Sequence, residues 1–294
     1  MASKGEQPSR LRGVLLRRTL RTSLVLSVGL LAAFVFLMGG SAPAAADTPV
    51  SGTITVDTTW NASMSPIWVE GDVLVTSGAT LTIDPGVEVR FNGYYDITVA
   101  DGAMVADGDA GGAGIIRFTS NFTFPFAGAW DGIYFNGDLG TSMLDDVEIQ
   151  WASTGLSFNG ASVPVSNTQI LDSQWYGVYV WSSSVLEYDF SFTGCTIANA
   201  GLYGMYFNTM FDTNLSLQVS GCTFSGYGSS GLRFGTLQWA DFDIRIEDSS
   251  FNASNRAVTF DGTNWADADE GNFFRFTFNN NWLNSSFDFA GVYL

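Results

Sequence analysis

Residues 195–207 read CTIANAGLYGMYF and residues 222–234 read CTFSGYGSSGLRF, two stretches that match position by position at an offset of 27 residues. Each opens on a cysteine, places an apolar residue two positions later (Ile197, Phe224), and closes on a unit of small, apolar, variable, apolar residues. That unit recurs as GIYF at 132, GLSF at 155, GVYV at 177, AVTF at 257 and GVYL at 291. The units start 22 to 27 residues apart until a last step of 34, where an inserted loop is expected. The apolar marker keeps phase, because Ile149, Ile170, Ile197, Phe224 and Phe251 each stand six or seven residues before their unit. A loose period with a fixed phase is what a solenoid requires, since each coil must set its side chains beside the equivalent ones of the previous coil. A meander or sandwich imposes no such phase.

Strand alternation assigns directions within the unit. The apolar pair, such as Val178 and Val180, points into the core and the middle residue points out. The leading Gly is expected to supply a positive φ or a tight bend, and Ala257 a gentler corner. Two positions before each apolar marker stand Val147, Thr168, Cys195, Cys222 and Ser249, an inward column that sets the two cysteines on adjacent coils, about 4.8 Å apart. A disulfide and a pair of buried thiols both fit this spacing.

Upstream, GDVLVTSGATLTIDPGVEVRF (71–91), YDITVADGAMVADG (95–108) and GIIRFTS (114–120) carry the same strand chemistry in a different rhythm. Asp84-Pro85-Gly86 is expected to form a turn, with Pro presetting φ and Gly accepting φ > 0. No stretch of the body has helical periodicity, so it reads as all-β. SGATLTIDPGVEVRF, IIRFTS and WDGIYF (130–135) resemble the opening coils of right-handed parallel β-helix repeat surface proteins, which share the pectin-lyase-like fold. The resemblance covers residues 70 to 294 and implies a single-stranded right-handed parallel β-helix. Its motifs specify coil geometry and carry no chemistry of their own.

The first residues have a different character. Lys4, Arg10, Arg12, Arg17, Arg18 and Arg21 precede an uncharged apolar run from Leu24 to Met38 and the small-residue stretch Ser41 to Ala46. This is the order of a signal peptide, with cleavage expected between Ala46 and Asp47. The stretch from Leu24 to Ala46 is also long enough to stay as a signal anchor in the cytoplasmic membrane. In either case the positive charge stays cytoplasmic and the body is extracellular or at the cell surface. Arg17-Arg18 resembles a twin-arginine export signal. The expected organisation is therefore a signal or anchor (1–46), a lead-in or cap (47–69) and the solenoid (70–294).

Without the first 46 residues the chain holds six Arg, no Lys and 28 carboxylates, a net charge of −22. Such a surface repels nucleic acid and anionic lipid. With no His in the chain, neither a Ser-His-Asp triad nor a His-ligated zinc is available, and no Arg sits in a lyase-like motif. Asp145 with Asp146, Asp241 with Asp243, and Asp267 with Asp269 are the carboxylate pairs open to glycoside hydrolysis. The Asp-Asp and Gly-His-Gly signatures of pectinase-like hydrolases are absent. Calcium is weighed at two acidic loops, Asp101 with Asp107 and Asp109, and Asp267 with Asp269 and Glu270; neither has EF-hand spacing, so no cofactor is assigned.

The outward residues of the repeated unit read Tyr134, Ser157, Tyr179, Tyr206, Arg233, Thr259 and Tyr293. Aromatic rings with polar tips and a planar donor suit sugar faces and protein surfaces, so Tyr134, Tyr179, Tyr206 and Arg233 are the candidate ligand-binding residues. The expected partner is a polysaccharide or a cell-surface protein. Five sequons, at Asn61, Asn121, Asn214, Asn252 and Asn284, are compatible with a glycosylated surface protein. The chain stops inside a repeat strand, from which end-to-end self-association, or continuation as part of a larger surface protein, is expected. The leading expectation is a non-catalytic structural or adhesive protein of the cell surface. The alternative is a polysaccharide-active lyase or hydrolase.

Overall fold

The computed structural model describes residues 48–294 except 110, 112–113, 182–186, 209, 212–213, 239–240, 265–273, 290–291 and 294. The signal or anchor segment and the second acidic loop lie outside the described residues.

The body is an all-β parallel solenoid whose strands fall on three faces. The first face carries short strands such as Val147–Gln150, Gln169–Leu171, Thr196–Ala198 and Thr223–Ser225. The second carries the repeated unit, in Trp130–Asn136, Ala152–Asn159, Tyr176–Trp181, Tyr203–Phe207 and Ser230–Gln238. The third is a separate nine-stranded sheet running from Thr58–Trp60 to Phe274–Asn279. Neighbouring coils pair in parallel on every face, as in Ile170 with Ile197 and Ile197 with Phe224. Residues 48–54 already stack in parallel on residues 67–75, with a shift of register between Val50 and Gly52.

The corners explain the phase of the sequence markers. Asp146, Asn167, Gly194, Gly221, Asp248 and Asn280 occupy one corner of successive coils, all left-handed with φ between 47° and 65°. Trp151, Asp172, Asn199 and Gly226 hold the next corner, with φ between 55° and 67°. Asn, Asp and Gly tolerate this region best, so the polar turn before each apolar marker is a conformational requirement. Corner side chains also bond along the axis, with Asn199 Nδ2 donating to Asp172 Oδ1 at 2.9 Å. Asp84-Pro85-Gly86 forms the expected turn, with Gly86 at φ 78° and the Val87 amide donating to Asp84 O at 3.3 Å.

The glycine of the repeated unit serves a different purpose from the one expected. Gly204 has no positive φ; a Cβ added there would stand 2.5 Å from the carbonyl oxygen of Gly231 and 3.0 Å from the Phe224 ring. Close approach of consecutive coils, rather than backbone handedness, excludes a side chain at this position.

The inward residues fill the core as axial stacks. Phe207 lies 5.1 Å from Phe234, Phe234 lies 4.7 Å from Phe260, and Phe224 lies 4.7 Å from Phe251 at an interplanar angle of 2°. Such pairs contribute about 0.5–1.5 kcal/mol each beyond area burial. Val147, Thr168, Cys195, Cys222 and Ser249 are all buried, as their alternation required. The two cysteines are free thiols; the hydrogen bond with Cys222, and then burial, push the Cys195 thiol well above its ordinary value.

The last coil corrects the sequence reading. Val258, Thr259 and Phe260 pair with Phe287, Asp288 and Phe289, so the final repeated unit is FDF at 287–289 and not GVYL. Val292–Tyr293 pairs instead with Thr263 and Asn264, which takes Tyr293 out of the expected column. Backbone pairing of residues 258–260 with 287–289 sets the register, whereas the Gly at 291 suggests the later copy.

Candidate functional site

The outward column on the second face is continuous. Register pairs link Tyr134 to Ser157, Ser157 to Tyr179, Tyr179 to Tyr206, Tyr206 to Arg233 and Arg233 to Thr259. Beside it runs a second column, in which Tyr176 pairs with Tyr203 and Tyr203 with Ser230. Two tyrosines from each column pack together. Ring centroids lie 5.1 Å apart for Tyr176 and Tyr179, 5.1 Å for Tyr203 and Tyr206, 5.8 Å for Tyr176 and Tyr203, and 5.6 Å for Tyr179 and Tyr206.

Arg233 closes one end of this slab. Its guanidinium lies 4.7 Å from the Tyr203 ring centroid and 5.6 Å from that of Tyr206, within cation–π range. The same guanidinium is ion-paired with Asp261, so its charge is already matched. Asn208 ties two phenols together: Tyr206 Oη donates to Asn208 Oδ1 at 2.8 Å, and Asn208 Nδ2 donates to Tyr179 Oη at 2.7 Å. Burial, with Tyr179 and Asp261 adding negative potential, pushes the Tyr206 phenol up to about 12, so it remains a neutral donor near neutral pH.

Of the four candidate residues, the structure brings together Tyr179, Tyr206 and Arg233. Tyr134 stands apart, separated from Tyr179 by Ser157, which is 2% exposed although it faces outward. Tyr134 belongs to an acidic group at the adjoining coils. Tyr94 Oη donates to Asp131 Oδ1 at 2.8 Å, and Thr98 Oγ1 donates to Asp96 Oδ1 at 2.9 Å. Burial, followed by the fields of Asp72 and Asp131, raises the Asp96 carboxyl; burial and Asp131 raise the Tyr134 phenol.

Tyr176, Tyr203, Asn208 and Asp261 were missed from sequence. Their signal was the doubled Tyr-Gly-apolar-Tyr at 176–179 and 203–206, in which only the second Tyr had been assigned a direction. A further unexpected feature is the corner loop NFTFPFAG (121–128), which exposes Phe122 (41%), Phe124 (86%) and Phe126 (56%). Its aromatic alternation resembles a core-facing strand, yet the rings face outward, and Phe122 and Phe126 stack on each other at 5.8 Å.

The sequence-adjacent carboxylates serve the scaffold. Asp145 accepts hydrogen bonds from Ser166 Oγ at 2.7 Å and Asn167 Nδ2 at 2.9 Å, and Asp146 forms a corner. Asp243 sits between Arg275 and Arg245, which hold its carboxyl at about 2. Asp267 and Asp269 lie outside the described residues. Among the described residues, no three acidic or thiol side chains converge as a metal site. No helix among them is long and apolar enough to cross a membrane.

Open cavities among the described residues lie elsewhere. One of about 480 Å³ is lined by Val50, Ile54, Trp60 and Met64 at the first coil, and one of about 430 Å³ by Glu187, Tyr188, Asp189 and Asn214 on the third face. Neither includes a residue of the tyrosine columns. In comparisons with protein-family models, curated proteins and solved structures, nothing matches this chain.

Proposed function

We propose that this chain is an exported surface protein of the right-handed parallel β-helix repeat type, non-catalytic, that attaches to glycans through the tyrosine columns of its second face. The carrying observation is the four-ring slab of Tyr176, Tyr179, Tyr203 and Tyr206, ordered by Asn208 and capped by Arg233. Aromatic rings offer apolar area to the C–H faces of sugars while their hydroxyls bond at the rim, and the rigid coil places them without ordering cost at binding. The export segment in the sequence supports extracellular or cell-surface location.

The test is a glycan array and a polysaccharide-degradation screen of the purified protein, with calcium and then with chelator. Both are repeated on a Tyr134, Tyr179 and Tyr206 to Ala variant whose fold is checked by circular dichroism. Binding lost in the folded variant, with no product released, supports attachment.

A second reading rests on the Asp96 carboxyl, which burial and the fields of Asp72 and Asp131 raise, because glycoside hydrolysis uses two carboxyl groups set apart by their environments. Release of oligosaccharide by the wild type but not by Asp96→Asn establishes this reading and overturns the first.

A further inference from the structure

Resting on the glycan-binding reading, we infer that the ligand is an uncharged, linear, extended glycan lying along the solenoid axis, with its sugars in register with the coils from Tyr179 to Arg233.

Direction follows from register. Tyr179, Tyr206 and Arg233 occupy three consecutive coils. Each coil advances about 4.8 Å, so the strip is roughly 10 Å long. One coil step is comparable with the advance of one pyranose along an extended chain, and a strip of this length takes about three sugars. A glycan lying across the strands would meet at most the two ring columns.

Charge follows from what each ionic group already does. A carboxylated or sulfated sugar needs an unmatched cation, and Arg233 is the strip's cation. Its guanidinium is ion-paired with Asp261 and rests over Tyr203 and Tyr206. Beyond the opposite end, Asp131 and Asp96 flank Tyr134, where an anionic ligand meets repulsion. Between these ends the polar groups are neutral: the phenols of Tyr179 and Tyr206 and the Asn208 amide. Neutral donors and acceptors alternating with ring faces match a sugar whose substituents are hydroxyls or amides.

The experiment is calorimetric titration of the purified protein with three sets of oligosaccharides, two to six sugars long: neutral, uronate and sulfated. The neutral set is expected to bind, with affinity rising to about three sugars and then levelling. The uronate and sulfated sets are expected to bind at least about tenfold more weakly. Asp261→Asn, which frees the Arg233 charge, is expected to strengthen uronate binding roughly tenfold while leaving neutral binding within about twofold. Uronate or sulfated sugars binding the wild type as tightly as neutral ones, or neutral affinity independent of length, overturns this inference and leaves the glycan-binding reading standing. No binding by any set overturns both. The wild-type comparison decides the charge class even where Asp261→Asn fails to fold.

Discussion

The guanidinium of Arg233 lies 4.7 Å from the ring centroid of Tyr203, one coil away and one column across, while its charge is met by Asp261. This pairing locks the outward column to its neighbour. It also turns the slab into a preorganised surface, because the ring beneath the cation cannot swing out without breaking the contact.

That contact is measurable by a double-mutant cycle. Tyr203→Leu, Arg233→Gln and the double variant, compared by urea unfolding, are expected to show a coupling of about 0.5–1 kcal/mol, the range for a partly exposed cation–π pair. Strict additivity of the two single changes contradicts it.

Alkaline titration tests the burial of the slab. The Tyr206 phenol ionises near 12 in the folded chain and near the ordinary value of about 10 in the unfolded one. A folded pKa raised in this way leaves stability unchanged below about pH 10 and removes it as pH rises from about 10 towards 12, because only the unfolded chain ionises there. Tyr206→Phe is expected to flatten this decline, measured as unfolding free energy against pH. An identical slope in wild type and variant refutes the assignment.

Coil contact predicts unequal glycine substitutions. Gly204→Ala drives a Cβ to 2.5 Å from the Gly231 carbonyl oxygen, a backbone atom held by the next coil, and is expected to cost about 1–3 kcal/mol. Gly137→Ala meets open space, and its cost is limited to the positive φ of 74°, about 1 kcal/mol. Thermal denaturation that ranks Gly137→Ala as the more damaging change contradicts the close-approach account.

Cys195 and Cys222 are buried, in register and free. A thiol reagent is expected to leave both unmodified in the folded protein and to titrate two thiols in denaturant without reductant, since the core blocks access to both. Finding no thiols in the unfolded, unreduced chain means that the pair has oxidised to a disulfide across adjacent coils.

The sequence by itself determined the coil. A fixed phase of apolar markers identified the solenoid, and two-residue alternation placed Tyr134, Tyr179, Tyr206 and Arg233 outward and Cys195 and Cys222 inward, because these rules act within a few residues of chain. It did not determine the purpose of Gly204, the last register or the composition of the site. Gly204 is constrained by an atom of Gly231 on the next coil, and the last register by pairing of residues 258–260 with 287–289 rather than by the Gly-led copy at 291. The slab unites Tyr176, Tyr179, Tyr203 and Tyr206 with Asn208, Arg233 and Asp261, drawn from four coils and three columns. Contacts between columns depend on how far each ring leans across the sheet, which only the packed tertiary structure decides.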